Sequence, residues 1–158
     1  MIAELVVFSG LQASGKTMFY RERLAASHVL VSKDAWPNAR RREDRQRRLV
    51  SEHLRAGRSV VVDNTNPTPA ERAPLVVIAR VASARVVSYA FITTVPEAVH
   101  RNALRTGRAR IPDAGIYSVA KRLCPVLVSE GFDRRFMVQL TNQGFVVTEV
   151  LKTEVHSL

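Results

Sequence analysis

Cysteine is nearly absent from this chain. A single residue, Cys124, stands among 158, which excludes an internal disulfide framework and fits a reducing compartment such as the cytoplasm. The four histidines are scattered and, with one cysteine, offer no zinc-ligand spacing. No apolar run approaches the length of a membrane span. The opening MIAELVVFSG has neither the basic start nor the cleavage site of a signal peptide. A cytoplasmic protein with no membrane partner is expected. Lysine is scarce as well: 4 Lys stand against 20 Arg, and with 14 acidic residues the net charge is +10 and the pI near 11.0. Arginine presents a planar donor fork suited to phosphate, so the bias fits polyanionic partners. A chain that merely writes its solvated faces in arginine has the same composition, so position must decide between the two.

What is present reads as one well-buried unit. A length of 158 residues with 46% hydrophobic and 24% charged content suits a single globular domain over 1–158. Short β-branched runs alternate with helical patterns. ELVVFS, HVLVS, RSVVVDN and ARVVSYAFIT read as strands. KTMFYRERLAAS, residues 40–56, TPAERAPLVVIARVAS, VPEAVHRNALRT and PDAGIYSVAKRL read as helices. Strands separated by helices of this length imply an α/β fold with a parallel sheet and right-handed crossovers. The last third differs, because RRFMVQLTNQGFVVTEVL reads as two strands around Asn-Gln-Gly, a hairpin over about residues 134–151.

Gly10-Leu11-Gln12-Ala13-Ser14-Gly15-Lys16-Thr17 fits the phosphate-binding pattern G-x-x-x-x-G-K-[ST], and it lies between a strand and a helix as that pattern requires. Glycines at both ends let the backbone wrap closely, so that N–H groups around Ala13, Ser14 and Gly15 converge on phosphate oxygens at a helix start. Lys16 reaches the β- and γ-phosphates and the Thr17 hydroxyl ligates Mg²⁺. A nucleoside triphosphate is therefore expected here.

Two absences narrow its use. No Asn-Lys-x-Asp run exists to read guanine. Where a motor-type ATPase usually has a water-activating glutamate, next to the acid ending the third strand, the chain has Asn64 after Asp63. Both favour a kinase, whose acceptor is a bound hydroxyl. Such an enzyme needs a carboxylate to orient that hydroxyl and take its proton. In a parallel sheet the place for it is the carboxyl end of the strands, where Asp34 and Asp63 fall. Asp34 could equally be a helix N-cap, and Asp63 a metal-holding acid at the end of its strand.

The segments GLQASGKT, VSKD, VVVDNTNPTPAER and RNALRTGRARIP, in that order, resemble the 5′-hydroxyl polynucleotide kinase branch of P-loop phosphotransferases, over about residues 4–125. The resemblance implies a P-loop NTPase fold with an adenylate-kinase-like parallel sheet flanked by helices and a helical, arginine-bearing lid at about 101–125. It implies ATP and Mg²⁺ bound through Lys16 and Thr17, Asp34 as the general base toward a 5′-OH end of DNA or RNA, and Asp63 as part of the acceptor site. Arg105 becomes the lid arginine on the transferring phosphoryl group, with Arg101, Arg108 and Arg110 as rivals. The chain departs from the phage pattern at Pro37, where that enzyme has an arginine gripping the acceptor's adjacent phosphate. Arg40, Arg41 or Arg42 could serve instead, Arg40 being preferred, and Trp36 could stack on an acceptor base or anchor its loop. Ala13 replaces a frequent glycine, which is harmless unless that residue needs positive φ. The 3′-phosphatase module of several members is not expected within these 158 residues.

The loop and the acid alone also allow a kinase of a small molecule or of an aminoacyl-tRNA, and a non-catalytic, nucleotide-gated module that binds nucleic acid. The arginine density around Asp34 is what favours a nucleic-acid acceptor. Oligomeric state has no signature in the sequence.

Overall fold

In the computed structural model, residues 2–152 are described; Met1 and 153–158, which the expected 1–158 unit includes, lie outside them. Strand β1 (Glu4–Ser9) runs into the phosphate-type loop and then α1 (Lys16–Phe19), whose helix continues as one wide π turn, Tyr20–Leu24. Next along the chain come β2 (Val29–Val31), α2 (Arg42–Arg55), β3 (Val60–Val62), α3 (Pro69–Val81), β4 (Arg85–Phe91), α4 (Val95–Ala103), α5 (Asp113–Arg122), β5 (Arg134–Thr141) and β6 (Gly144–Val150). The six strands form one sheet in the order β2-β3-β1-β4-β5-β6. The first five are parallel, and only β6, paired with β5 through a tight turn at Asn142-Gln143, runs the other way. The expected α/β sheet and C-terminal hairpin are both present.

The valine-rich strands are buried on both faces because side chains alternate along a strand and helices cover each side. Leu5 and Val7, with Val60 and Val62, face α2 and α3 through Val50, Leu54, Leu75 and Ala79. Val6, Phe8 and Val61 face the other way, onto Phe19, Phe91 and Val138. Burying each such side chain stabilises by roughly 1.5–3 kcal/mol, so the strands nearest the middle of the sheet hold the loop at the end of β1. Helix starts are set by their caps. Thr68 accepts from Glu71 N at 3.2 Å before Pro69, and Thr94 and Glu97 form a reciprocal capping box at α4.

One element departs from expectation. The helix read over 16–27 is α-helical for only four residues before it widens, with Ala25 N donating to Tyr20 O at 2.8 Å. Such a bulge inserts a residue and rotates the chain beyond it. Here the Tyr20 hydroxyl donates to His28 O at 2.7 Å, which ties the helix to the start of β2.

Candidate active site

The loop after β1 is shaped by its glycines. Gly10 has φ +147°, and a Cβ there would lie 2.9 Å from Phe91 O, while its N–H donates to Thr65 O at 2.9 Å. Gly15 has φ +96°, and a Cβ there would press on Phe145 Cε1 at 3.0 Å. The tip of the β5–β6 hairpin thus packs directly on the loop. Ala13 also needs positive φ, at +60°, so alanine is strained there at a cost of roughly 1 kcal/mol. Replacing Ala13 with glycine is expected to stabilise the fold by up to about 1 kcal/mol; a urea unfolding midpoint unchanged or lowered in Ala13→Gly contradicts that.

Lys16 is buried and folds back into the loop. Its Nζ donates to Gly10 O at 2.9 Å and Leu11 O at 2.6 Å, with Ser14 Oγ at 3.5 Å. Burial pulls its pKa down to about 8; Asp63 and Asp34 partly oppose this, and the Arg105 charge reinforces it. Thr17 Oγ1 donates to Asp63 Oδ2 at 2.8 Å. Asp63 is itself buried, and desolvation raises its pKa against the Thr17 hydrogen bond and the Lys16 charge. This hydroxyl–carboxylate pair is a hard-oxygen donor set of the kind Mg²⁺ takes. No cluster of three or more His, Cys, Asp or Glu exists among the described residues, so the ion would be completed by phosphate oxygens and water. The residues fit that ion.

Asp34 stands on a 3₁₀ turn, Lys33–Ala35, just beyond β2. The cap of that turn is Ser32, whose hydroxyl accepts from Asp34 N at 3.2 Å, so the Asp34 carboxylate is not the capping group. Its charge is felt at both Lys16 and Asp63, as is that of Arg105. The fold thus brings Lys16, Asp63, Asp34 and Arg105 into one electrostatic neighbourhood.

Among the other arginines, Arg101 donates from Nη1 toward Ala13 O at 3.5 Å and Thr93 Oγ1 at 3.4 Å, touching the loop itself. Arg105 donates to Ala109 O at 3.3 Å, whereas Arg108 and Arg110 are exposed. Arg40 and Arg41 are exposed at the start of α2, and Arg42 Nη1 donates to Lys33 O at 3.4 Å, beside Asp34. Trp36 packs against the main core with the Arg45 guanidinium 4.3 Å from its ring centre. That is the anchoring alternative; a stacked base would compete with Arg45.

Several residues that shape the site do not stand out in the sequence. Arg72 is fully buried on α3 and bidentate to Glu130, at 2.7 and 3.0 Å. It also donates to Asn66 O, Cys124 O and Pro125 O at 2.9, 3.3 and 3.2 Å. Asn66, at φ +40°, donates to Phe8 O at 2.7 Å, so this network fixes the loop after Asp63 against the end of β1. A signal does exist: Arg72, Leu75, Val76 and Ala79 form one i, i+3, i+4, i+7 stripe with a charge at a core position. Asn102, also buried, closes the 104–112 arm by pairing with both the N–H and the carbonyl of Ile111, at 3.0 and 2.6 Å.

A glycine-framed loop between β1 and α1, an inward lysine, and a Thr–Asp pair at the end of the neighbouring strand define a P-loop kinase fold. The chain belongs to the AAA domain family, which its residues 5–123 match. Its fold is similar to that of a fungal RNA kinase, with TM-score 0.68 and 16% identity over 90% of this chain and 39% of that one. It is also similar to a chain of the Pnkp1/Rnl/Hen1 complex, with TM-score 0.57 and 21% identity over 63% and 39%. A gluconokinase from Sinorhizobium meliloti 1021 matches at TM-score 0.60 and 18% identity, over 87% and 82%. At these identities the likeness is one of fold. The chain spans 39% of the length of the first two. No helix among the described residues is long and apolar enough to cross a membrane.

Proposed function

We propose that this P-loop kinase domain transfers the γ-phosphate of ATP to the 5′-hydroxyl end of DNA or RNA. The observation that carries the reading is Asp34: a carboxylate beyond β2, within the field of Lys16 and Asp63, beside an α2 that begins with a run of arginines. In this reading the Asp34 carboxylate takes the proton of the 5′-OH as its oxygen bonds to the γ-phosphorus. The bond from phosphorus to the β–γ bridging oxygen breaks, and ADP leaves. Lys16 and the loop N–H groups hold the phosphates, and Arg105 balances charge on the transferring group. Mg²⁺, when bound through the Thr17 hydroxyl and phosphate oxygens, neutralises phosphate charge. Asp63 orients Thr17 through their hydrogen bond and borders the acceptor site. Arg40, Arg41 and Arg42 line the approach to Asp34 and contact backbone phosphates, so acceptor binding weakens steeply with salt.

A second reading, a small hydroxyl compound as acceptor, is favoured by the extent of the likeness to the gluconokinase, of which the chain covers 82%. The test supplies γ-labelled ATP with matched oligonucleotides bearing 5′-OH or 5′-phosphate ends, and in parallel with gluconate. The expected result is label on 5′-OH ends alone, lost in Asp34→Asn while ADP binding persists. Label on gluconate and none on either oligonucleotide overturns the first reading in favour of the second.

A further inference from the structure

The turn that carries Asp34 closes on itself, with Asp34 N donating to Ser32 Oγ at 3.2 Å, Ala35 N to Ser32 O at 3.2 Å and Trp36 N to Lys33 O at 3.0 Å. Its place relative to β3 and α2, however, is set from outside. Asn64, in the loop after β3, uses both ends of its carboxamide. Its Oδ1 accepts from the backbone N–H of Lys33 at 3.1 Å, and its Nδ2 donates to Gln46 Oε1 at 2.6 Å. Gln46 lies on α2, only 3% exposed, in a helix whose other polar side chains mostly face solvent. A glutamine buried in this way costs free energy unless it is paired, and its partner here leads straight to the residue before Asp34. The same helix touches the turn three more times. Arg42 donates to Lys33 O, Glu43 pairs with the Lys33 ammonium, and Arg45 covers Trp36.

We infer that Gln46 is a positioning residue for Asp34, acting through Asn64 to hold the Lys33–Ala35 turn at the height where the carboxylate meets the acceptor hydroxyl. This rests on the reading of Asp34 as the base. Asn64 is well suited to the link, because its single carboxamide accepts from Lys33 N on one side and donates to Gln46 on the other. α2 therefore does two things at once: its exposed face offers arginines, and its buried face sets the geometry of the base.

The test uses two readouts on the full chain. The only tryptophan, Trp36, sits at the end of the same turn and reports its position without any turnover. In Gln46→Leu, Trp36 emission is expected to shift to the red and become more accessible to acrylamide, with ADP affinity unchanged. In the labelling assay, kcat is expected to fall on the order of 10- to 100-fold with KM for ATP unaltered, as misplacement of a reacting group by an ångström does. Because the two side chains act in series, Gln46→Leu should add nothing in an Asn64→Ala background. Unchanged Trp36 emission, unchanged kcat, or losses that multiply in the double variant each overturn the inference. Asp34→Asn in the same assay separates the two levels. If it is inactive while Gln46→Leu behaves as wild type, the positioning role alone fails. If it remains active, Asp34 is not the base and both fail.

Discussion

Raising the pH from about 8 to about 10.5 is expected to stabilise the nucleotide-free protein by about 3 kcal/mol through Lys16 alone. In the folded chain this lysine titrates at about 8, against an ordinary value of 10.5. Between those limits the unfolded chain holds a proton that the folded chain has released, so stability rises with pH. Below 8 the ammonium is charged in both states and the whole cost of its burial is present. Other groups titrate in this range too, so the quantity to measure is the difference between wild type and Lys16→Met in urea unfolding. The wild type should gain on the variant as pH climbs; a constant difference would show that Lys16 is not desolvated. Phosphate oxygens reverse the effect, since they favour the charged amine. Nucleotide binding should therefore take up protons above pH 8 and weaken as the pH rises. Calorimetric titration with ADP in buffers of different ionisation enthalpy reads that uptake directly, and Lys16→Met should lose both the uptake and transfer.

The second large effect lies away from the phosphates. Arg72→Met is expected to destabilise the fold by about 3–5 kcal/mol, a large share of the roughly 5–15 kcal/mol that holds a domain of this kind. The cause is what remains behind. Glu130, whose side chain is 8% exposed, loses its only cationic partner among the described residues, and the carbonyls of Asn66, Cys124 and Pro125 each lose a donor. Charge without a partner should dominate that sum. Arg72→Met/Glu130→Gln is then expected to recover part of the loss, because a glutamine can still accept from Leu127 N, as Glu130 Oε2 does at 2.7 Å. A double variant no more stable than Arg72→Met would assign the cost to the carbonyls instead. Guanidinium unfolding of the three proteins decides it.

These two residues mark where the sequence is legible and where it is not. Lys16 stands in a pattern of eight consecutive residues, and spacing alone singles it out. The strands are equally plain, since a run such as Val60–Val62 has few other places to go than the middle of a sheet. The Arg72–Glu130 pair joins residues 58 apart. Its meaning depends on α3 lying against the segment after α5, which no local pattern encodes. Gln46 is hidden inside an arginine-rich helix whose exposed face dominates its composition, although a polar residue in line with Val50 and Leu54 marks the buried side. Ala13 illustrates a third case: the pattern tolerates any residue there, and only the backbone shows that the position is left-handed. The widened turn after Phe19 is a fourth, because helix-forming residues do not reveal which carbonyl each N–H will choose.

Leu11 lies inside the phosphate-binding loop, yet its side chain is 2% exposed and packs with Ala98, Ile116 and Val119 of α4 and α5. The loop and the α4–α5 pair that carries the arginine-bearing 104–112 arm therefore share one small core. For recombination between relatives, the exchangeable block is neither the eight-residue motif nor the arm, but the two together. A transplanted loop with a small residue at this position would leave a void beneath the arm, costing about 2–5 kcal/mol, before any phosphate contact had been altered. Inheritance of the motif and of the arm is thereby mechanically linked.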